Sequence, residues 1–297
     1  MSNKNLFYFL LGVIINFTDC YSQDQLTLDV DNDLYFNRDF YYSSGISIAY
    51  SSHKSKEEKR FIDHLKLVQY IYTPSSRYEP DPKKYDYPYS GYLFLEVARQ
   101  KKISDYSSFS LGGSIGITGD ASLAKGMQNL YHDLVLDLPN LEWKSQMPQE
   151  IQVNLLFNYI NGFNLFDNIN FSTKLYSRLG TYQLMAGINF GLLIGDTSWY
   201  SFSDNIVSQS KNNFSFYIGT SQEYYLHDYK LEGSLFNDNA SLTMTSNKYR
   251  NIMEIGLLKK FNRLQVLSTF NSMSKDTETQ RTLRHPFLKI SISYILN

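Results

Sequence analysis

The chain has 297 residues, a net charge of only −1 and a mean hydropathy of −0.35, yet aromatic residues reach 16% of it, with 25 Tyr and 20 Phe. So small a net charge argues against a nucleic-acid surface, and beyond residue 23 no apolar run is long enough for a membrane helix. Many Tyr and Phe combined with low mean hydropathy suit a transmembrane β-barrel, which needs aromatic girdles at both interfaces and alternates apolar with polar residues.

In chain order, Lys4 precedes an apolar run from Leu6 to Phe17 that is too short to span a bilayer, and small residues stand at positions −3 and −1 of a cut after Ser22. Residues 1–22 are therefore expected to be a secretory signal peptide, and 23–297 a single outer-membrane barrel domain, since no Pro/Gly/Ser linker divides them. Cys20 is the only cysteine and leaves with the signal, so the mature chain is expected to have no disulfide and no thiolate site.

Leu26 to Tyr50 reads as the first hairpin. Leu26, Leu28 and Val30 alternate with Thr27, Asp29, Asp31 and Asp33, and beyond the turn Tyr42, Ile46, Ile48 and Tyr50 alternate with Ser43, Gly45, Ser47 and Ala49. On this pattern Ser43 faces inward with Asp33. Asp31, Asn32 and Asp33 set two carboxylates and an amide at the strand tip, either the start of an oxygen-ligand Ca²⁺ site or a solvated acidic turn. Further runs near 62–72, 90–101, 106–117, 148–160, 166–178, 180–195, 211–226, 246–260, 262–275 and 284–296 bring the total to about twelve strands. The fold class is all-β: an antiparallel transmembrane barrel whose even strand count puts both termini on one side.

If the N-terminus starts in the periplasm, the turns at 34–41, 73–89 and 118–147 open on the cell exterior. Within the third, Ala121 to Leu138 carries a helical apolar stripe at Met127, Tyr131, Leu134 and Leu138, with Asp120 or Ser122 as its cap. Gln128 and His132 are four residues apart and share a face of that short extracellular helix. A lone loop histidine is more often solvated than catalytic.

The runs N-D-L-Y-F and R-D-F-Y-Y-S-S-G-I-S-I-A-Y within 32–50, D-Y-P-Y-S-G-Y at 86–92, Q-N-L-Y-H at 128–132 and P-N-L-E-W-K-S-Q-M-P-Q-E at 139–150 together resemble the outer-membrane lipid A deacylases, the lipid A 3′-O-deacylase family. The resemblance implies a twelve-stranded barrel that uses Ca²⁺ to remove a 3′-linked acyl or acyloxyacyl group from lipid A of lipopolysaccharide. It places Asn32 and Asp33 at the metal, sets Ser43 where the family more often has Thr, matches Gln128 and His132 to a Q-x-x-x-H pair, and makes Trp143, Gln146 and Glu150 supporting structure. Two departures stand out. The family's D-R-P-Y-A-G loses its arginine at Tyr87, and the acidic residue expected six after the histidine falls at Leu138, with Asp137 beside it.

The implied chemistry agrees in kind with the residues. His132 can serve as the base for water, a Ca²⁺ on Asp33 and Asn32 can polarise the ester, and Gln128 can position water or carbonyl. Ser43 is either an oxyanion donor or a nucleophile paired with His132. The expected protein is thus a monomeric enzyme of the Gram-negative outer membrane, with lipid A and membrane lipid as partners, no nucleic acid, and an active site on the extracellular side. A non-enzymatic pore or scaffold barrel and an outer-membrane phospholipase with a serine nucleophile are the alternatives.

Overall fold

A computed structural model describes residues 24–36, 38–53, 61–104, 106–195 and 214–296. The expected signal peptide, with Cys20, lies outside the described residues, as do 211–213 of the ninth predicted strand. Twelve antiparallel strands follow one another round a closed barrel, with β1 hydrogen-bonded to both β2 and β12. They are β1 (Gln25–Asn32), β2 (Tyr41–His53), β3 (Phe61–Thr73), β4 (Ser90–Ser104), β5 (Ser107–Thr118), β6 (Ile151–Phe166), β7 (Ile169–Gly180), β8 (Gln183–Gly195), β9 (Phe214–Asp228), β10 (Tyr249–Phe261), β11 (Leu264–Ser274) and β12 (Arg284–Ile295).

The alternation that predicts the strands also sorts their faces. Leu26, Leu28 and Val30 point outward, while Thr27 and Asp29 are buried in the lumen. Across the β1–β12 seam Thr27 meets Ser293 at 2.8 Å, and Asp29 accepts from Ser47 of β2 at 2.8 Å and from Ser291 of β12 at 2.5 Å, with Lys66 of β3 at 3.0 Å. Closure therefore leaves no strand edge, and these polar groups on the lumen side of β1 satisfy one another.

Because the strands alternate in direction, the loops after β1, β3 and β5 emerge at one end together with those after β9 and β11. Inside that end, Tyr41, Tyr42, Tyr72, Tyr87, Leu231 and Phe287 form an aromatic core. Beside it a short helix, Tyr229–Glu232, carries the buried Lys230 into an ion network with Asp228, Asp276 and Arg250. Tyr87, at the position of the missing arginine, is part of this filling: it is buried and its hydroxyl donates to Asp276 at 2.7 Å. That side chain is directed into the lumen and is not available to a ligand outside the wall.

The predicted helix in the third loop is broken into segments. A 3₁₀ turn, Gly119–Ser122, leads through Leu123 in a left-handed conformation (φ 63°) into α1, Ala124–Tyr131, and then into a π-helical turn, His132–Leu136, that ends at Asp137 (φ 51°). The capping expectation is met only weakly, since Leu123 is the cap residue and Ser122 Oγ stands 3.4 Å from the Ala124 amide. Of the predicted apolar stripe Met127, Tyr131 and Leu134 are exposed, as is the neighbouring Val135, while Leu138 is half-buried.

Candidate active site

Asn32 ends β1, and its Oδ1 accepts from the Leu34 amide at 2.7 Å, a side-chain turn that starts the 3₁₀ segment Leu34–Phe36. Asp33 is fully buried; its Oδ2 accepts from the Phe40 amide at 3.0 Å and stands 3.6 Å from His285 Nε2, while Oδ1 has no hydrogen-bond partner. Burial, opposed by the Phe40 amide and reinforced by the charge of Asp39, pushes the Asp33 carboxyl up to about 8. A buried carboxylate oxygen without a donor needs either a proton or a cation.

Ser43 departs from simple alternation. A β-bulge between Tyr42 and Ser44 puts an extra residue in β2. Tyr42 consequently turns its hydroxyl into the lumen, 2.5 Å from Asp31 Oδ2, and Ser43 turns to the outer wall, where it lines a groove with Val30, Asn32 and Ile46. The inward orientation expected from parity is thus corrected by one inserted residue. Ser43 Oγ shares a 2.7 Å hydrogen bond with Thr73 Oγ1 of β3, and Thr73 Oγ1 donates to the Asp39 carbonyl at 3.2 Å.

On the other side of the groove α1 presents Gln128, and the π-helical turn that continues it presents His132, as the four-residue spacing predicts. Both are almost wholly buried, and both bond to Asp39, the only carboxylate in the turn at 34–41. Gln128 Nε2 donates to Asp39 Oδ1 at 3.2 Å, and His132 Nε2 lies 3.0 Å from Asp39 Oδ2. The second ring nitrogen, Nδ1, is 3.3 Å from the Pro139 carbonyl. Trp143 Nε1 donates to Gln128 Oε1 at 2.9 Å and its ring stacks on Tyr89 at 5.0 Å. Asn129 clamps the following segment by exchanging hydrogen bonds with the Leu141 backbone.

Arg77, from the loop after β3, donates to the Asp39 carbonyl at 2.9 Å and brings its Nε to 3.5 Å from Oδ2. Burial by itself would raise the Asp39 carboxyl, but the hydrogen bond from His132, the charge of Arg77 and the Gln128 amide outweigh it and hold the group below its ordinary value. His132 shifts the opposite way: its bond to Asp39, aided by the Pro139 carbonyl, outweighs burial and raises it. With an acceptor at each nitrogen, the imidazolium is the form that this setting favours.

The structure therefore gathers Asn32, Ser43, Gln128 and His132 round one groove of about 430 Å³, while Asp33, next to Asn32 in the chain, is fully buried and does not line it. Of the residues read as supporting, Trp143 touches Gln128, Gln146 bonds to Asp120, and Glu150 accepts from Asn237 at 2.9 Å. Among the described residues no three His, Cys, Asp or Glu side chains converge as a metal cluster, so a cation held here would rely on one carboxylate supplemented by amide, hydroxyl or backbone oxygens. Asp39 and Arg77 are the site residues that the sequence did not single out.

A closed barrel with its polar groups turned inward, an apolar belt outside and a carboxylate–imidazole pair at the rim defines an outer-membrane β-barrel protein carrying an enzyme-like site on its outer wall. The chain matches the model of the family described as outer membrane protein LpxR over residues 6–296 and belongs to that family. No curated protein sequence matches it. Among solved structures, LpxR from Salmonella typhimurium is similar over 92% of this chain and 100% of that one, at 15% identity and a TM-score of 0.79. The β domain of the Bordetella autotransporter BrkA (9% identity, 93% and 99% covered, TM-score 0.47) and the KdgM porin (8%, 93% and 99%, 0.43) are looser likenesses.

Proposed function

We propose that this outer-membrane protein is a Ca²⁺-dependent esterase that removes a 3′-linked acyl or acyloxyacyl chain from lipid A at the extracellular face. The observation that carries the proposal is the position of the groove: His132, Gln128 and Ser43 open between the lipid-facing residues Val30 and Ile46 and the outward apolar residues Met127 and Leu134. A substrate that never leaves its leaflet can reach such a groove sideways, acyl chain first, whereas a soluble substrate would gain little from an apolar wall.

In this mechanism the neutral His132 keeps its Nε2 proton on Asp39 and, giving up the 3.3 Å contact to the Pro139 carbonyl, takes the proton from a water at Nδ1 as the water oxygen attacks the ester carbonyl. Ser43 Oγ–H, which Thr73 Oγ1 accepts while donating its own proton to the Asp39 carbonyl, turns from Thr73 to donate to the oxyanion. Collapse of the tetrahedral intermediate breaks the bond to the sugar oxygen, and His132 returns the proton to that oxygen, leaving a free fatty acid and a sugar hydroxyl. Gln128 already uses one amide proton on Asp39 and its carbonyl on Trp143; we assign its second N–H to holding the water. The orphaned Asp33 Oδ1 fits a hard, oxygen-seeking cation, with the Asn32 amide oxygen as a second ligand through its remaining lone pair. Asp33 and Asn32 would hold the Ca²⁺, whose chemistry there would be Lewis-acid polarisation of the ester carbonyl.

Serine attack is the less favoured route, because Ser43 Oγ is bonded to Thr73 Oγ1 and no hydrogen bond joins it to His132. Mass spectrometry of lipid A from cells expressing the wild type and His132→Ala tests the proposal. Loss of an acyl or acyloxyacyl mass with the wild type alone supports it; unchanged lipid A with new solute permeability would point to a pore, and lysophospholipid to a phospholipase.

A further inference from the structure

We infer that Asp39, from the loop after β1, is the positioning carboxylate of His132, supplied across the fold in place of the helical acidic residue that this chain lacks. The inference rests on the proposal that His132 is the base. At the position six after the histidine stands Leu138, which has no carboxylate, and the neighbouring Asp137 is exposed, on backbone that has already left the helix at φ 51°. Asp39 instead approaches His132 from 93 residues away in sequence.

The geometry is that of a carboxylate built to hold a ring rather than a chance surface pair. Oδ2 meets His132 Nε2 at 3.0 Å and Oδ1 receives the Gln128 amide at 3.2 Å, so the two helix residues are bound by one group. Its backbone carbonyl is held by Arg77 and Thr73, and its side chain is 7% exposed. Ring rotation about χ2 would break both the Asp39 and the Pro139 contacts at once, so the imidazole plane is fixed. Two charged groups bear directly on His132: Asp39, which favours the imidazolium, and Arg77 from the loop after β3, which opposes it. On its own helical turn Asp133 and Asp137 are both exposed.

The test uses the full-length barrel folded in detergent micelles with ¹³C-labelled histidine, the His132 signal being assigned by its loss in His132→Gln. Asp39→Asn preserves size and removes the charge, and should lower the His132 pKa by roughly one to three units, the usual effect of an opposite charge within about 4–6 Å. Arg77→Gln, which leaves the pair intact, should raise it and keeps the test available if Asp39→Asn does not reach the heat-modifiable folded form. The acid limb of deacylation should follow the same directions, with kcat rather than KM falling in Asp39→Asn, and Asp39→Glu should return the limb towards the wild type. A His132 pKa that moves in neither variant overturns the inference, even if lipid A deacylation is confirmed. A pKa that moves as stated in a protein without esterase activity leaves the pair standing and removes the proposed function instead.

Discussion

Gly91 offers a direct test of how α1 is placed. This glycine, in the D-Y-P-Y-S-G run, begins β4 beneath the start of the helix, and a Cβ there would lie 2.2 Å from Ser122 Oγ and 2.4 Å from Ala124 Cβ. The Ser122 hydroxyl can rotate away, but Ala124 Cβ is fixed to the helix backbone and has no rotamer to use. Ordinary contact begins near 3.4 Å, so in Gly91→Ala the helix must retreat by about 1 Å. Overpacking of this kind costs about 1–3 kcal/mol, which a closed twelve-stranded barrel should survive. A shift of 1 Å in catalytic groups, however, can cost on the order of 10² in rate, and Gln128 and His132 ride on that helix. Gly126→Ala is the control: its Cβ meets nothing within 4 Å, and alanine should favour the helix by about 1 kcal/mol. Heat-modifiability on gels reports folding and lipid A mass spectrometry reports turnover. Wild-type turnover in Gly91→Ala, or equal losses in both variants, would refute the idea that close packing of β4 on α1 sets the site.

His132→Ala should leave a folded, heat-modifiable barrel, because the residue sits on a loop helix, yet lose on the order of 10² to 10⁴ in turnover, the range of general-base contributions; retention of most activity sinks the base assignment. Ser43→Thr keeps the hydroxyl and should stay active, whereas Ser43→Ala should lose about 10² to 10³, the cost of one oxyanion donor. An acyl or fluorophosphonate adduct mapped to Ser43 by intact-protein mass would replace the water mechanism with serine attack. Chelation should abolish turnover and Ca²⁺, but not Mg²⁺, should restore it, since a sparse and flexible oxygen site suits the larger ion. The same cation should raise the thermal midpoint of the wild type but not of Asp33→Asn; a Ca²⁺-induced rise of equal size in both removes Asp33 as its ligand.

The barrel was legible because period-two alternation is a local signal: Leu26, Leu28 and Val30 against Thr27 and Asp29 declare a strand and its faces without knowledge of any partner. The four-residue spacing of Gln128 and His132 is equally local, and both do line the groove. Asp39 was not legible as their partner because no periodicity links a turn at the start of the chain to a helix 89 and 93 residues later. What could have found it is elimination: with Leu138 lacking a carboxylate, it is the only acidic residue in the adjoining loop 34–41. The orientation of Ser43 failed for a different reason. Parity counts residues, and a bulge inserts one without changing the composition of the run.

That single bulge has functional weight. Without it, Ser43 would share the lumen with Ser47 and Ser51, among polar groups that already satisfy one another, and no lipid confined to the leaflet could reach it. With it, Tyr42 keeps the lumen position and seals against Asp31, Tyr72 and Phe287, while the next residue delivers a hydroxyl to the outer wall. Thr73 then ties that hydroxyl to the Asp39 backbone, so β2, β3 and the first loop are joined at the place where α1 brings His132. A polar cluster on a lipid-facing wall is costly unless every group has a partner. Here the partners are supplied within the cluster, by Thr73 for Ser43, Leu34 for Asn32 and Asp39 for both Gln128 and His132. Asp33 Oδ1, fully buried one residue from Asn32, has none. A buried carboxylate oxygen without a donor, one residue from the groove-lining Asn32, is what the proposed cation would satisfy.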